Sequence, residues 1–359
     1  MLVRSRHHSI LLIFTAILYG AFGTFASVMA APPATDMPPA IALLLPLKVP
    51  ALTPAARAVR DGFYAAAQIR GEASRVRVYP TGGGNSVLAA YRQAVLDGAQ
   101  LVSGPLTHDG VSALAQSNIA AVPTLALNVP DNRIRSLPHL YFFSLSLENE
   151  ARQVARLAYA DGHRKALTVS TQSALMQRVQ SAFTQQFQQL GGALVAPYVY
   201  SGDKTQLNQI YRAIAATPAD MAFLALDYRN ARIVRPFLGS RLAVYATSQV
   251  NPGSSALAAN DLNGVRFMDM PWLLEPDDAA AAPYPRRYTG SPDLERLYAF
   301  GIDAFRLSRL LLTGTPHTLD GVTGTLTLQP DRHFDRTLVA AQINGGSIIV
   351  HNESAAAGQ

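Results

Sequence analysis

The stretch Ile-Ala-Leu-Leu-Leu-Pro-Leu, residues 41–47, is apolar at every position. An apolar run of this length without alternation predicts a strand that is buried on both faces, as in a parallel sheet. Residues 54–69 follow with helical spacing, since Val59, Phe63 and Ala66 fall on one side of a helix. A buried strand followed by an amphipathic helix is the repeating unit of α/β folds, so we expect parallel sheets with helices on both faces.

The alternation of short apolar runs and helical periods continues beyond this first unit and divides into two sets. In the first set, strand-like runs lie at 75–79, 100–103 and 122–127, and helical segments lie at 86–96 and 110–116. In the second set, strand-like runs lie at 166–170, 193–200, 221–226, 242–246 and 265–268, and helical segments lie at 147–159, 175–190, 205–215 and 230–237. A long helix is predicted at 294–312, and a β-hairpin at 323–328 and 337–343. Two sets imply two lobes with a crevice between them.

The order of these segments predicts that each lobe is built from two separate stretches of the chain. We expect lobe one to take residues 41–144 and 273–325, and lobe two to take residues 145–272 and 326–350. The proline-rich segment 31–40 is predicted to be a linker ahead of the fold, and residues 351–359 a disordered tail.

The N-terminus has the pattern of an export signal, with Arg4 and Arg6 ahead of the apolar run 10–18. Val28-Met29-Ala30 is a small-x-small pattern that suits signal peptidase, so we expect cleavage after this segment. The alternative is an uncleaved membrane anchor, because residues 10–30 contain no charge. In both cases the remainder of the chain is expected in the periplasm.

The composition argues against several classes of function. The 359 residues carry a formal charge of +6 that is spread along the chain, which argues against nucleic-acid binding. Cysteine is absent, so the sequence contains no thiolate nucleophile and no lipobox cysteine to which a lipid is attached. The histidines are isolated from one another, and no nucleophile-elbow motif occurs. We therefore expect no metal site, no cofactor and no catalytic centre.

Polar side chains lie at the ends of several predicted strands. Because ligands of open α/β sheets bind beyond the carboxyl ends of the strands, these residues are candidates for holding a small polar ligand in the crevice. The candidates are Thr107, Asn128, Ser170, Thr171, Asp227, Tyr228, Thr247 and Ser248. The alternative is that they cap helices and form turns, which is the common role of such residues.

Several short segments, in this order, resemble one known family. They are IALLLPL at 41–47, VSGPL at 102–106, LALN at 125–128, YFFSLS at 141–146, ENEA at 148–151, YATS at 245–248, MPWL at 270–273, YAFGIDA at 298–304 and GVTGTL at 321–326. The sequence resembles the penicillin-binding protein activators of the LpoA (LppC) family over residues 41–350. The resemblance implies their C-terminal domain, which has the two-lobed fold of type I periplasmic binding proteins. It also implies an envelope protein, not an enzyme, that binds and stimulates a peptidoglycan synthase, a class A penicillin-binding protein.

Two functions follow as hypotheses. The first is this regulator of peptidoglycan synthesis, and the alternative is a periplasmic solute-binding protein for an amino acid or a similar small polar ligand. For a regulator, the irregular loop between Leu273 and Pro292 is the predicted contact region. Its candidate contact residues, of types that are enriched at interfaces, are Tyr284, Arg286, Arg287 and Tyr288. The alternative is a solvated connector without a partner, and in either case alanine at both arginines is expected to change folding stability little.

Overall fold

The computed structural model describes residues 40–130, 137–253, 260–314 and 318–351. The predicted export signal and nearly all of the predicted linker lie outside these residues, as does the predicted tail from residue 352 onward. Within the described part of the chain, no helix combines the length and the hydropathy that crossing a membrane requires.

The described residues form fifteen strands and nine α-helices. In chain order the strands are β1 (Ile41–Leu45), β2 (Val76–Pro80), β3 (Leu101–Ser103), β4 (Thr124–Ala126), β5 (Leu140–Phe143), β6 (Lys165–Thr171), β7 (Ala193–Tyr200), β8 (Met221–Ala225), β9 (Ala243–Ala246), β10 (Val265–Asp269), β11 (Thr318–Gly321), β12 (Gly324–Leu328), β13 (His333–Thr337), β14 (Val339–Asn344) and β15 (Ser347–His351). The helices are α1 (Thr53–Ile69), α2 (Gly84–Leu96), α3 (His108–Ser117), α4 (Leu147–Ala160), α5 (Ala174–Gln189), α6 (Lys204–Ala216), α7 (Tyr228–Val234), α8 (Pro271–Leu274) and α9 (Pro292–Thr313).

The described strands assemble into two sheets, each of which is parallel in its centre. The first has the order β11-β12-β13-β5-β4-β3-β1-β2, and the second has the order β15-β14-β10-β9-β8-β6-β7. Strands β1–β5 pair in parallel, as do β6–β10, whereas β11, β12, β14 and β15 pair antiparallel to their neighbours. Helices cover both faces of each sheet. The structure confirms the predicted two-lobed α/β fold.

The predicted hairpin of residues 323–328 with residues 337–343 is wrong. Strand β12 pairs instead with β13, and β14 pairs with β10 and β15 in the second sheet. The chain therefore leaves the first sheet after Thr337 rather than after residue 325. Strand β13 was not predicted, because Phe334 is the single apolar residue in its sequence, His-Phe-Asp-Arg-Thr.

The core of the first lobe depends on a close contact between α1 and α9. Phe63 of α1 meets Phe305 of α9 edge to face, with ring centroids 5.3 Å apart. The backbones approach so closely at Gly62 and Gly301 that a Cβ atom at either position would overlap a carbonyl oxygen of the other helix. Only glycine allows two helices to pack at this distance, so both glycines are required by the packing.

We predict that Gly301→Ala lowers the free energy of unfolding by about 3 kcal/mol or more, because the new methyl group overlaps the carbonyl oxygen of Val59. Alanine favours a helix over glycine by only about 1 kcal/mol, so the overlap dominates. Urea unfolding measures the change, and the control is Gly290→Ala, where a Cβ atom would have nothing within 4 Å. Equal stabilities of the two variants would contradict the close contact.

Candidate functional site

The crevice between the lobes contains a cavity of about 880 Å³. The first lobe contributes residues 127–130 and 142–144 to its wall, and the second lobe contributes the first turns of α4 and α5. Its lining mixes aromatic and aliphatic side chains with charged ones, including Arg152 and Arg178. The cavity is therefore large enough for a small ligand and chemically mixed.

Of the predicted ligand residues, Asn128 lines this cavity. Its amide nitrogen donates to the carbonyl oxygen of Leu106 at 3.0 Å, and its amide oxygen accepts from the backbone nitrogen of Val129 at 2.9 Å. Both ends of the side chain thus hold the loops that follow β3 and β4. Asn128 shapes the wall of the cavity.

Asp227 and Tyr228 line a different cavity of about 530 Å³, which also lies between the lobes. Asp227 caps α7, because its carboxylate accepts from the backbone nitrogen of Asn230 at 2.9 Å. The hydroxyl of Tyr228 accepts from the side chain of Arg229 at 3.2 Å. The first turn of α9, with Asp293 and Arg296, forms the opposite wall.

The other predicted ligand residues have local partners or are buried. Thr107 caps α3 through Gly110, and the hydroxyl of Thr171 accepts from the backbone nitrogen of Ser173. Ser170 is buried and hydrogen-bonds Gln180 at 3.1 Å. Thr247 is buried as well. The structure therefore does not bring the eight residues together, and the capping alternative describes Thr107 and Asp227.

Ser248, the last member of the predicted set, leads to a group of charges that the sequence did not reveal. Its hydroxyl donates to Glu150 at 2.7 Å, and the other carboxylate oxygen of Glu150 accepts from Arg336 at 3.2 Å. All three side chains are buried. Glu150 lies in the first turn of α4 in the second lobe, whereas Arg336 belongs to β13 in the first sheet. This contact therefore joins the lobes.

A second buried ion pair lies beside the first. The guanidinium of Arg296, on α9 of the first lobe, binds both carboxylate oxygens of Asp269, at 3.2 and 2.7 Å. Arg296 also donates to the carbonyl oxygen of Ser248 at 2.9 Å. Asp269 ends β10 of the second sheet and accepts from Asn251 at 2.9 Å. We call Glu150, Ser248, Asn251, Asp269, Arg296 and Arg336 the inter-lobe network.

Burial and charge act in opposite directions on this network. Burial raises the pKa of Glu150 above its ordinary value, although the attraction of Arg336 opposes the rise. Burial acts to lower the pKa of Arg296, but the carboxylates of Asp269 and Glu150 outweigh it, and the pKa of this arginine is raised. In the sequence, Asp269 is visible only as an acidic residue at the end of a mainly apolar strand. This position does not reveal that its partner is Arg296.

The loop between Leu273 and Pro292 is irregular, as predicted, but it is attached to the first lobe. Arg286 lies 3.7 Å above the ring of Trp272 and donates to the carbonyl oxygen of that residue. Arg287 and the hydroxyl of Tyr288 bind Asp61 of α1, at 3.1 and 2.9 Å. Arg286 is therefore not a freely solvated charge, whereas the side chain of Arg287 is 62% exposed.

Two further residues hold the loop. Buried Glu295 of α9 accepts from the indole nitrogen of Trp272 at 2.6 Å and from the backbone nitrogen of Arg287 at 2.9 Å. Tyr284 packs half-buried against the core of the first lobe. The sequence did not single out Glu295, because an acidic residue in the first turn of a helix is common for another reason, the helix dipole.

The described residues contain no candidate metal site. Nowhere among them do three or more His, Cys, Asp or Glu side chains gather so that they could hold a metal ion.

Comparison with known proteins identifies the family. The family model described as "LppC putative lipoprotein" matches residues 34–217 and 214–346. The chain belongs to the LppC family. A relative from Photobacterium profundum, named penicillin-binding protein activator LpoA, is 28% identical over 325 residues, which cover 80% of this chain and 52% of the relative. The chain thus spans about half the length of the curated LppC relatives it matches.

Solved structures agree with this assignment. The LpoA C-domain from Haemophilus influenzae, described as a regulator of PBP1A, is 26% identical with a TM-score of 0.73, and the match covers 87% of this chain and 99% of that domain. A protein from Chromobacterium violaceum, described as "a putative branched-chain amino acid ABC transporter", is 39% identical with a TM-score of 0.71, and the match covers 84% and 99% of the two chains. The fold of this LppC protein is therefore common to named regulators and to transporter components.

We predict that, at a pH above the raised pKa of Glu150, Glu150→Ala lowers the free energy of unfolding by about 3–5 kcal/mol, because it leaves the buried guanidinium of Arg336 without its anion. The matched control is Glu148→Ala, which removes a more exposed carboxylate that pairs with Arg178 at 2.9 Å and should cost less than about 1 kcal/mol. Urea unfolding compares the two. Similar losses would show that the network contributes no more than a surface pair.

The raised pKa of Glu150 predicts a pH dependence of stability. The folded protein holds this proton more tightly than the unfolded chain, whose carboxyl titrates near the ordinary value of 4.5. The stabilisation by Glu150 relative to Glu150→Gln, which cannot titrate, is therefore largest below pH 4.5. It falls as the pH rises from 4.5 to the raised folded value and is constant above it. Unfolding of both proteins across the acid range measures the difference, and a difference that does not vary with pH would contradict the raised pKa.

Proposed function

We propose that this LppC protein is a non-catalytic periplasmic regulator that binds a class A penicillin-binding protein and stimulates its synthesis of peptidoglycan. The observation that carries the proposal is the match to the LpoA C-domain, which extends over 99% of that domain. The curated relatives bear the name of activators, and their matched regions cover most of this chain. The export-signal pattern at residues 1–30 supports a location outside the cytoplasm.

The inter-lobe network supports regulation through a surface rather than through closure on a ligand. Its two arginines come from the first lobe, and its two carboxylates come from the second. A hinge motion that separates either ion pair leaves buried charges without their partners, at a cost of several kcal/mol. A molecule held in one shape offers a preformed surface to a partner, which lowers the entropic cost of binding.

The contact region that we propose is the loop carrying Tyr284, Arg286, Arg287 and Tyr288. Its contacts with Trp272, Asp61 and Glu295 hold it in one conformation. Tyrosine and arginine are enriched among the residues that dominate binding energies at protein interfaces.

A solute-binding protein is the second candidate, and the observations in its favour are the two cavities between the lobes, of about 880 Å³ and about 530 Å³, the second of which is lined by Asp227. Likeness to the transporter protein from Chromobacterium violaceum also supports it. This candidate requires a small polar ligand, such as an amino acid, and depends on crevice residues instead of the loop.

We expect the purified protein to capture a class A penicillin-binding protein and to accelerate its glycan polymerisation. Arg287→Ala should weaken capture, because it removes an exposed cation from the loop, and it should leave folding intact. Asp227→Ala in the crevice should leave capture unchanged. It removes a helix cap, which should lower the free energy of unfolding by about 1 kcal/mol.

Two results would contradict the proposal. Failure of the folded wild-type protein to bind any class A enzyme would exclude the regulator. Thermal stabilisation by an amino acid that is lost in Asp227→Ala and retained in Arg287→Ala would support the solute-binding candidate in its place, since a ligand at 100 times its dissociation constant adds about 2.7 kcal/mol.

A further inference from the structure

Two small cavities lie side by side on the first lobe, next to the loop that follows α8. The first, of about 360 Å³, is lined by Pro283 and Pro285 of the loop together with one side of α1. The second, of about 170 Å³, is lined by Tyr284 together with the ends of α1 and α9. Because Tyr284 stands between the two prolines in sequence, the loop borders both cavities. We call the two cavities together the arginine groove.

The floor of the arginine groove is partly apolar. Ile69 at the end of α1 is 50% exposed, and Tyr64 and Tyr298 line the same cavity. Tyrosine and arginine are enriched in the central part of protein interfaces, which is depleted of water. The groove therefore offers apolar surface that a partner side chain can cover.

The rim of the groove is basic. Among the described residues that line the two cavities, five are arginines and one is a carboxylate, Asp61. The arginines are Arg60, Arg70, Arg287, Arg306 and Arg309. Glu72 and Asp303 lie behind the rim and pair with Arg309 and Arg306. Five guanidinium groups thus face three carboxylates, and an excess of positive charge remains.

Four of these guanidinium groups are held in place by ion pairs. Arg60 and Arg287 bind Asp61 at 2.8 and 3.1 Å. Arg306 binds Asp303, and Arg309 binds Glu72, each at 3.0 Å. A guanidinium carries five N–H donors, so one carboxylate leaves donors free for another. Side chains that are already oriented lose little entropy when they bind, which favours a second carboxylate from a partner.

We propose that the arginine groove is the docking site for an acidic segment of a protein partner, in which carboxylates bind the rim and an apolar side chain covers Ile69. The positive charge of the rim requires a partner segment that is negatively charged. The apolar floor argues for a polypeptide rather than a lipid surface. The inference rests on the proposed function for the identity of the partner, which is then the synthase.

A direct test uses a fluorescent peptide of alternating glutamate and leucine and measures its anisotropy with the full-length protein. The double variant Arg70→Glu/Arg287→Gln should weaken binding about tenfold or more, and added salt should weaken binding to the wild-type protein. The matched control is Arg92→Glu/Arg229→Gln, which makes the same change in charge at exposed arginines of α2 and α7. Helix α2 packs on the opposite face of the first sheet from α1. The control should bind like the wild-type protein.

A second variant tests the apolar floor without changing the charge. Ile69→Asn replaces a half-exposed side chain, so folding should be preserved, and binding of the peptide should weaken severalfold. Unfolding curves of every variant establish that the folded state is intact.

The same variants are then tested for capture of a class A penicillin-binding protein. Loss of capture in Arg70→Glu/Arg287→Gln but not in the control supports the groove. Equal capture by both variants overturns the groove and the contact through Arg287, whereas the regulator itself, which requires only that the wild-type protein captures a synthase, still stands. If the wild-type protein captures no synthase, the proposed function fails, and the peptide measurement alone decides the groove.

Other occupants of the groove give different results. Binding to phosphatidylglycerol vesicles that depends on Arg70 and Arg287, without binding of the peptide, would assign the groove to a lipid surface. Self-association that disappears in the same double variant would assign it to a second copy of the chain. Either result overturns an acidic segment as the occupant.

Discussion

Four buried charges at the junction of the lobes determine the shape of this protein. Arg296 and Arg336 extend from the first lobe, and Glu150 and Asp269 come from the second, so the charges that each lobe brings to the junction have one sign. Removing a charge from water costs several kcal/mol, and this cost is offset only when the opposite charge is in contact and the remaining donors are satisfied. Ser248 and Asn251 provide such hydrogen bonds. The lobes can therefore form a stable junction in one relative orientation, and the position of every surface on them follows from it.

The loop and the arginine groove, which are proposed to bind a partner, are also held in place by buried contacts. Glu295 is one residue before Arg296 on α9 and fixes the irregular loop through Trp272 and the backbone of Arg287. In the first turn of α9, Arg296 thus binds the second lobe and the adjacent Glu295 binds the loop. Because α9 is packed backbone to backbone against α1, the groove between these helices has fixed walls. A partner that binds there meets a surface whose side chains are already ordered.

The sequence predicts the fold well because burial leaves a periodic signal. The apolar run of β1 and the spacing of α1 and α9 are visible without any knowledge of their partners. The inter-lobe network is invisible for the opposite reason, since Glu150 and Arg336 are 186 positions apart and no sequence pattern pairs them. Polar residues do lie at the strand ends, as the sequence predicts. The side chains of Asn128 and Asp227, however, form hydrogen bonds within the neighbouring loops and at the start of α7. A residue type and a position along a strand do not determine the direction of a hydrogen bond.

Within the described ranges the chain crosses between the sheets three times, near Ser144, Met270 and Leu338, and these crossings affect how the protein folds. A ribosome or a translocase delivers the N-terminus first, so β1–β5 and α1 emerge long before α9 and β11–β13, which complete the same lobe. During that interval the face of α1 that carries Gly62 and the edge of β5 that pairs with β13 are uncovered. Contacts between such distant segments slow folding and expose apolar surface to aggregation. The nascent chain is therefore expected to need a chaperone until α9 has been delivered.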